Sequence, residues 1–196
     1  MSKKARTAIP VHAFIAERWS PRAFDETSVM SNDELKAMLE AARWAPSAKN
    51  IQPWRFAVAR RGEPLFGSLH AALMPGNQRW AHRASALVVA ATDTLLPSGE
   101  GNAWAAYDLG LAVSLLTVQA HAMGLHVHLI GGFNAAAVST LLELPEQITP
   151  LVVLAIGRAT NPDVLEDAGL QDRERSTRER MPLEELVLVG LEQGQA

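Results

Sequence analysis

Arg18-Trp19-Ser20-Pro21-Arg22 places two guanidinium groups and a hydroxyl at alternate positions. Guanidinium forks bind phosphate oxygens in pairs, and a serine hydroxyl adds a donor to a further oxygen. Further along, Pro46-Ser47-Ala48-Lys49-Asn50-Ile51-Gln52-Pro53-Trp54 gathers a hydroxyl, two side-chain amides and two prolines into one loop that runs into an aromatic residue. Amide side chains both donate and accept, as the mixed edges of a planar heterocycle require. Together the two segments point to a cofactor that carries a phosphate and a ring. Each alone has a plainer reading. R-x-S-x-R is also the pattern of solvated surface, and the loop also suits a helix terminus followed by an edge strand.

The rest of the chain limits what such a site belongs to. At 196 residues it suits one domain, residues 1–196, with a core of useful size. Hydrophobic residues make up 48% and charged residues 20%, the balance of a soluble globular protein. A formal charge of −3 gives no electrostatic case for nucleic acid or an anionic membrane as partner. There is no cysteine, hence no disulfide, thiol nucleophile or iron–sulfur ligation. The first residues are basic but lack the apolar stretch of a signal peptide, so a cytoplasmic location is expected. No Asp, Glu, Lys or Arg occurs from Leu109 through Leu142. Gln119, His121, His126, His128 and Asn134 interrupt that stretch, and a membrane helix needs ~20 mostly apolar residues. The pattern reads as a buried helix followed by a buried strand.

The elements that must position the candidate residues can be read locally. Ser31-Asn32-Asp33-Glu34 is a capping box, and Leu35, Met38, Leu39 and Ala42 follow at helical spacing up to Pro46. Trp54, Phe56 and Val58 alternate as in a half-buried strand. Helices are expected over 64–73 and 77–83, a buried strand over 86–91 and a loop over 93–102. The longest helix is expected from Ala103 to Met123, stopped by Gly124. A strand over 126–130, a short helix capped by Asn134 and a strand over 150–156 complete the pattern. Residues 159–181 turn polar, and 182–191 return to apolar periodicity. The architecture implied is α+β, a central mixed sheet flanked by helices. His126 and His128 share a strand face with His121 nearby, but no acidic residue lies close in sequence to complete a ligand set, so no metal site is assigned. Trp44, Trp54, Trp80 and Trp104 are read as packing residues, with Trp104 and Tyr107 the better placed to line an open ring face.

At these residues the chain resembles the nitroreductase family of flavin enzymes, in which an early R-x-S-x-R segment and a P-S-x-x-N-x-Q-P-W loop both contact FMN. The resemblance runs from about Arg18 to Leu186. It implies phosphate and ribityl contacts for Arg18, Ser20 and Arg22, and ring and ribityl contacts for Pro46, Ser47, Asn50 and Gln52. Ile130-Gly131-Gly132-Phe133-Asn134 sits where many members have I-E-G-F-D or I-G-G-F, and there a backbone amide faces the flavin N5. Missing Cβ atoms at Gly131 and Gly132 would permit a close approach, although a tight strand-to-helix turn would also use them. Arg178-Glu179-Arg180 precedes Met181-Pro182-Leu183-Glu184-Glu185 as in the family's C-terminal segment, which gives Arg178 and Arg180 a phosphate role. Without the resemblance, this mixed-charge run reads as a solvated loop. Where many members carry Glu the chain has Gly131, and it has little room for extra lid helices, so substrate range is left open.

The resemblance further implies a nitroreductase-like, domain-swapped homodimer. Residues 1–10 would form a flexible arm, and 159–196 a C-terminal extension that serves the phosphate site and the dimer. It implies an FMN oxidoreductase in which NADH or NADPH is a transient hydride donor. A small electron-poor acceptor, a nitroaromatic or a quinone, would then take its turn in a ping-pong cycle. No catalytic acid or base is assigned. The alternatives are flavin fragmentation, dehalogenation or ring dehydrogenation on the same fold, or flavin binding without turnover.

Overall fold

The computed structural model describes residues 3–190. Four strands, β1 (Trp54–Arg60), β2 (Ala86–Asp93), β3 (His126–Ile130) and β4 (Ile148–Gly157), form one sheet in the order β1-β2-β4-β3. Helix α2 (Asn32–Arg43) opens with the expected capping box: Ser31 Oγ accepts from Glu34 N at 3.1 Å, and the Glu34 carboxylate takes the Ser31 amide at 2.8 Å. Helices α3 (Pro64–Ala71) and α4 (Pro75–Ala81) each start on a proline, whose missing N–H costs nothing in a first turn. The long helix α5 (Ala105–Ala122) ends where Gly124 adopts φ +72°. The Leu125 amide then reaches back to Ala120 O at 2.9 Å, closing the helix end. Helix α6 (Ala135–Leu141) is capped by Asn134 as the sequence indicates.

Two apolar clusters, one on each face, enclose the sheet. On one face Ala59, Leu87, Val89, Val153 and Ala155 meet Phe66, Leu69, Trp80 and Val138 of α3, α4 and α6. On the other, Trp54, Val88, Ala90, Leu154 and Ile156 meet Met38 and Ala42 of α2 and Leu109, Val113 and Leu116 of α5. Strand β1 is part-buried, as its alternation indicates, and has apolar neighbours on both faces: Phe56 and Val58 pack with the α2–α5 cluster and Ala57 and Ala59 with the other.

The expected mixed sheet is antiparallel in all three described pairings. The α5 crossover does return β3 in the direction of β2, but β4 inserts between them in the opposite sense, so the parallel strands are never neighbours. The β2–β4 register slips at Ala90/Ala91, where Val152 and Pro150 are paired and Leu151 is skipped. Such a bulge re-aims side chains, and Leu151 ends up 40% exposed.

Two further helices, α1 (Ala13–Glu17) and α7 (Ala168–Arg175), were not legible in the sequence. The first is little more than one turn. The second lies in the polar stretch, with Asp167 Oδ1 accepting from the Leu170 amide as its cap. Within the expected arm, the Ala5 amide donates to Ala16 O at 2.7 Å and the Lys3 ammonium to Ser176 O at 2.5 Å, so this part lies against the body. The last helix, α8 (Leu183–Leu186), has no buried residue. Residues 191–196 of the expected C-terminal extension lie outside the described residues.

Candidate functional site

The R-x-S-x-R segment leaves α1 in extended conformation, and Arg18 Nη1 donates to Ser20 Oγ at 3.3 Å. Its far end is held from behind. One oxygen of Glu174, on α7, accepts the amides of Arg22 and Ala23 at 2.8 and 2.9 Å. Glu174 is 1% exposed, and its second oxygen has no partner. Beyond it, Phe24 packs against the end of β4 at Gly157. A Cβ at Gly157 would come within 3.0 Å of the Phe24 ring and 3.2 Å of the Ser85 amide, so a side chain there would press on both. His128 Nδ1 lies 2.9 Å from Pro21 O; a carbonyl only accepts, so this nitrogen carries the proton.

Arg18 and Ser20 form one end of a cleft of about 470 Å³. Its other walls are apolar or small: Leu109, Gly110, Val113 and Val118 of α5 with Leu129 and Leu151 of the sheet. Lining positions on α5 run from Ala106 to Val118, about 18 Å at 1.5 Å per residue. The size falls within the range of small-molecule sites, and the mixture of an apolar floor with a few polar groups is what such sites contain.

Arg178 and Arg180 are close enough to Arg18 to act on its charge. Burial first, then these two neighbours, hold the Arg18 pKa below the usual arginine value. Arg178 is lowered by burial and then by Arg180. Arg22 is lowered by burial, opposed by Glu174. All remain cations at neutral pH. A group of part-buried like charges is costly by itself, and an anion among them relieves the repulsion. Arg178 Nη1 also donates to Lys3 O at 2.9 Å and Ala16 O at 2.8 Å, which ties the N-terminal segment to the cluster. Arg180 donates only locally, to Glu179 O at 2.7 Å, and is exposed.

The second motif has a different construction. After Pro46 and an extended Ser47, Lys49, Asn50 and Gln52 adopt φ of 52°, 58° and 54°. They are three of the four non-glycine residues with positive φ among the described residues. Ser47 Oγ accepts the Gln52 amide at 3.0 Å, Gln52 Nε2 donates to Asn50 O at 3.0 Å, and Arg55 Nη1 to Gln52 O at 3.1 Å. Asp108, in the first turn of α5 and 1% exposed, accepts the Ala48 amide at 3.1 Å.

Gly131 and Gly132 follow β3, two and three residues beyond the cleft-lining Leu129. They differ in surroundings. A Cβ at Gly131 would meet nothing within 4 Å, whereas one at Gly132 would stand 2.8 Å from Asn77 Nδ2 and 3.6 Å from Met74 Cγ. The Gly132 carbonyl accepts from the Met74 amide at 2.9 Å and from Asn77 Nδ2 at 3.0 Å. Gly132 thus abuts the start of α4, and open space lies at Gly131.

The structure brings Arg18, Ser20, Arg178 and Arg180 together. The loop 46–52 stands at the other end of α5, with described hydrogen bonds to Asp108 and Arg55 and none to Arg18, Arg178 or Arg180. Sequence reasoning missed Glu174 and Asp108, the two acidic residues buried among those described. Asp108 carried a signal, as the charge that borders the long uncharged stretch. Glu174 carried none within its mixed-charge run. Of the tryptophans read as packing residues, Trp54 and Trp80 are buried, but Trp44 and Trp104 are 73% and 58% exposed. The capping-side position of each, at a helix end, leaves it outside both clusters. Trp104 and Tyr107 meet edge to face at 6.0 Å on the open side of α5. Among the described residues no three His, Asp or Glu are placed to hold a metal.

Comparison with known proteins identifies the family to which this fold and sequence belong. A solved structure described as an oxidoreductase containing FMN superposes with a TM-score of 0.90 at 34% identity, over 100% of this chain and 99% of its own. A Desulfovibrio desulfuricans protein, provisionally named a nitroreductase and solved in complex with FMN, superposes with a TM-score of 0.72 at 26% identity, over 94% and 99%. Bacillus subtilis YodC, provisionally named an NAD(P)H nitroreductase, is 26% identical over 179 residues, which cover 74% of this chain and 87% of that protein. The model of the Nitroreductase family matches residues 15–73 and 61–158, a span that includes R-x-S-x-R, the loop, α5 and the Gly131-Gly132 turn. The chain belongs to the nitroreductase family.

Proposed function

We propose that the protein is an FMN-dependent oxidoreductase that uses NADH or NADPH to reduce electron-poor small molecules such as nitroaromatics or quinones. The observation that carries this reading is Arg18 and Ser20 in the lining of an apolar cleft, with Arg178 and Arg180 near enough for their charges to act on Arg18. The donor set suits a phosphate and the apolar walls suit a planar ring, so the residues present fit FMN. FMN supplies the redox chemistry when bound, taking hydride from the nicotinamide and passing electrons to the acceptor. Arg18, Ser20, Arg22, Arg178 and Arg180 hold the phosphate and ribityl end. Pro46, Ser47, Asn50 and Gln52 present donors and acceptors to the ring, and backbone at Gly131-Gly132 serves its N5 edge. No side chain is assigned as acid or base: the chain's work is to bind, orient and exclude water. The two substrates use one site in turn, giving ping-pong kinetics.

The working unit in this reading is a cytoplasmic homodimer that exchanges terminal segments. Two features support it. The open face of α5 carries Tyr107 and Leu115, 62% and 38% exposed, beside the cleft-lining Gly110 and Ser114. The C-terminal segment leaves Met181, Leu183, Leu186, Leu188 and Val189 from 49% to 95% exposed, an apolar run that a partner would cover.

The deciding experiment is anaerobic addition of NADH or NADPH to the purified protein. Loss of the visible flavin absorbance within the turnover time, and its return on adding a quinone, are the expected results. Protein that binds FMN but is not reduced by either nicotinamide overturns the reductase. A flavin-saturated monomer in light scattering overturns the dimer.

A further inference from the structure

We propose that Asp108 is a positioning residue for the ring-facing loop: by holding the Ala48 amide it fixes where Asn50 and Gln52 stand, and so sets the reactivity of the flavin more than the tightness of its binding. This rests on the flavin reading given above.

Lysine and glutamine do not adopt left-handed backbone by preference, and such residues persist only where several contacts over-determine them. The contacts here fall into two sorts. Ser47 Oγ to the Gln52 amide and Gln52 Nε2 to Asn50 O are internal to the loop, and Arg55 belongs to the strand that continues from it. These preserve the loop's shape. The bond from the Ala48 amide to Asp108 Oδ2 spans 60 positions in sequence, and it joins the loop to α5. It preserves the loop's place.

The choice of residue has a physical basis. A buried carboxylate is costly unless donors surround it. Asp108 lies in the first turn of α5, where the unpaired amides of the helix favour a negative charge. The same helix carries the cleft-lining residues from Ala106 to Val118. Fastening the loop to α5 therefore fastens it to the wall of the cleft, a rigid element that the loop's internal bonds do not reach. An apolar residue would fill the same space and leave the Ala48 amide without an acceptor.

The test compares three substitutions in FMN-loaded protein. Asp108→Ala removes the acceptor, and Asp108→Asn keeps one. Ala48→Pro removes the donor with Asp108 still in place, and proline suits this position because Ser47 is extended and Ala48 opens a helical turn. Asp108→Ala and Ala48→Pro should each slow flavin reduction by saturating nicotinamide roughly tenfold or more and shift the visible flavin band. FMN affinity should fall by less than about threefold. Asp108→Asn should behave as wild type. In the flavin-free protein, trypsin should cut after Lys49 faster in Asp108→Ala and Ala48→Pro than in wild type or Asp108→Asn. Wild-type spectra and rates in both damaging variants overturn the proposal, as does an affinity loss equal to the rate loss. An Asp108→Asn variant as impaired as Asp108→Ala overturns it too, since the charge and not the grip would then matter. If Asp108→Ala does not fold, Ala48→Pro decides. Wild-type protein that binds no FMN refutes the flavin reading instead, and the trypsin comparison still decides whether Asp108 holds the loop.

Discussion

Glu174 takes the amides of Arg22 and Ala23, and Asp108 takes the amide of Ala48, so one device, a buried carboxylate on a helix, anchors both motif segments. What the anchors hold differs. Around Arg18–Arg22 the backbone is extended and relaxed, and the cost is electrostatic: part-buried guanidinium groups with Arg178 and Arg180 beside them. Around Pro46–Gln52 no cationic cluster gathers, and the cost is conformational: three left-handed residues held by side-chain bonds. Stored repulsion is released when an anion arrives, which favours affinity. Stored backbone strain fixes direction, which favours orientation of a ring. The comparison assigns binding strength to the first segment and reactivity to the second.

The largest expected effect is on the anchor of the arginine segment. Glu174→Leu leaves two amides without an acceptor, at about 1–3 kcal/mol each. The flavin-free protein should lose about 2–6 kcal/mol in urea unfolding. Glu174→Gln, whose amide oxygen can still accept, should lose much less. A leucine variant of wild-type stability would mean that the segment needs no anchor.

Acid should loosen the same segment before the loop. Burial, and then the charge of Arg22, hold His128 at about 4, below its ordinary 6.5, while hydrogen bonds to Pro21 and Ser20 oppose the shift. The unfolded chain takes up the proton first. The contribution is complete above about pH 6.5 and is lost as pH falls toward about 4, up to about 3 kcal/mol for this group. Hydrogen exchange at Arg22 and Ala23 should accelerate across that window while exchange at Ala48 does not, and His128→Phe should weaken the dependence, leaving the part that His126, also held at about 4 by burial, contributes near Arg18. Equal acceleration at Ala48 breaks the comparison.

Arg18→Ala removes a charge-assisted contact worth about 1.5–3 kcal/mol, so FMN affinity should fall roughly ten- to a hundred-fold. The spectrum of the flavin that remains bound should not move. Unchanged affinity by equilibrium dialysis would remove the phosphate role. The smallest expected effect on stability separates the two glycines. Gly132→Val, pressed against Asn77 and Met74, should cost about 1–3 kcal/mol of stability in thermal unfolding. Gly131→Val should leave stability within about 0.5 kcal/mol but slow flavin reduction. The reverse pattern would place the ring at Gly132.

Much of this was legible in local sequence because its causes are local. The Ser31 capping box joins residues only three positions apart, and Gly124 ends α5 through its own φ. The continuous apolar run of β2 showed burial on both faces, whereas the alternation in β1 did not. Ala57 and Ala59 are small, and only the second layer of helices reveals that they have packing partners. α7 was hidden in a charged run, since its one buried acidic residue looks like its exposed neighbours until Arg22 is seen beside it.

By itself, then, the sequence determined the types of the elements, the two motif segments and the chemistry their side chains offer, because propensity, capping and periodicity act within a few residues of each other. Only the tertiary structure decided that β4 separates β2 from β3, that Arg178 and Arg180 stand beside Arg18, and that Gly131 rather than Gly132 faces open space. It alone assigned the two buried carboxylates their amides, at separations of 60 residues for Asp108 and 151 and 152 for Glu174. Contacts so distant in sequence have no local signature: they exist because the helices that carry them are packed onto opposite faces of one sheet, and packing is a property of the whole chain.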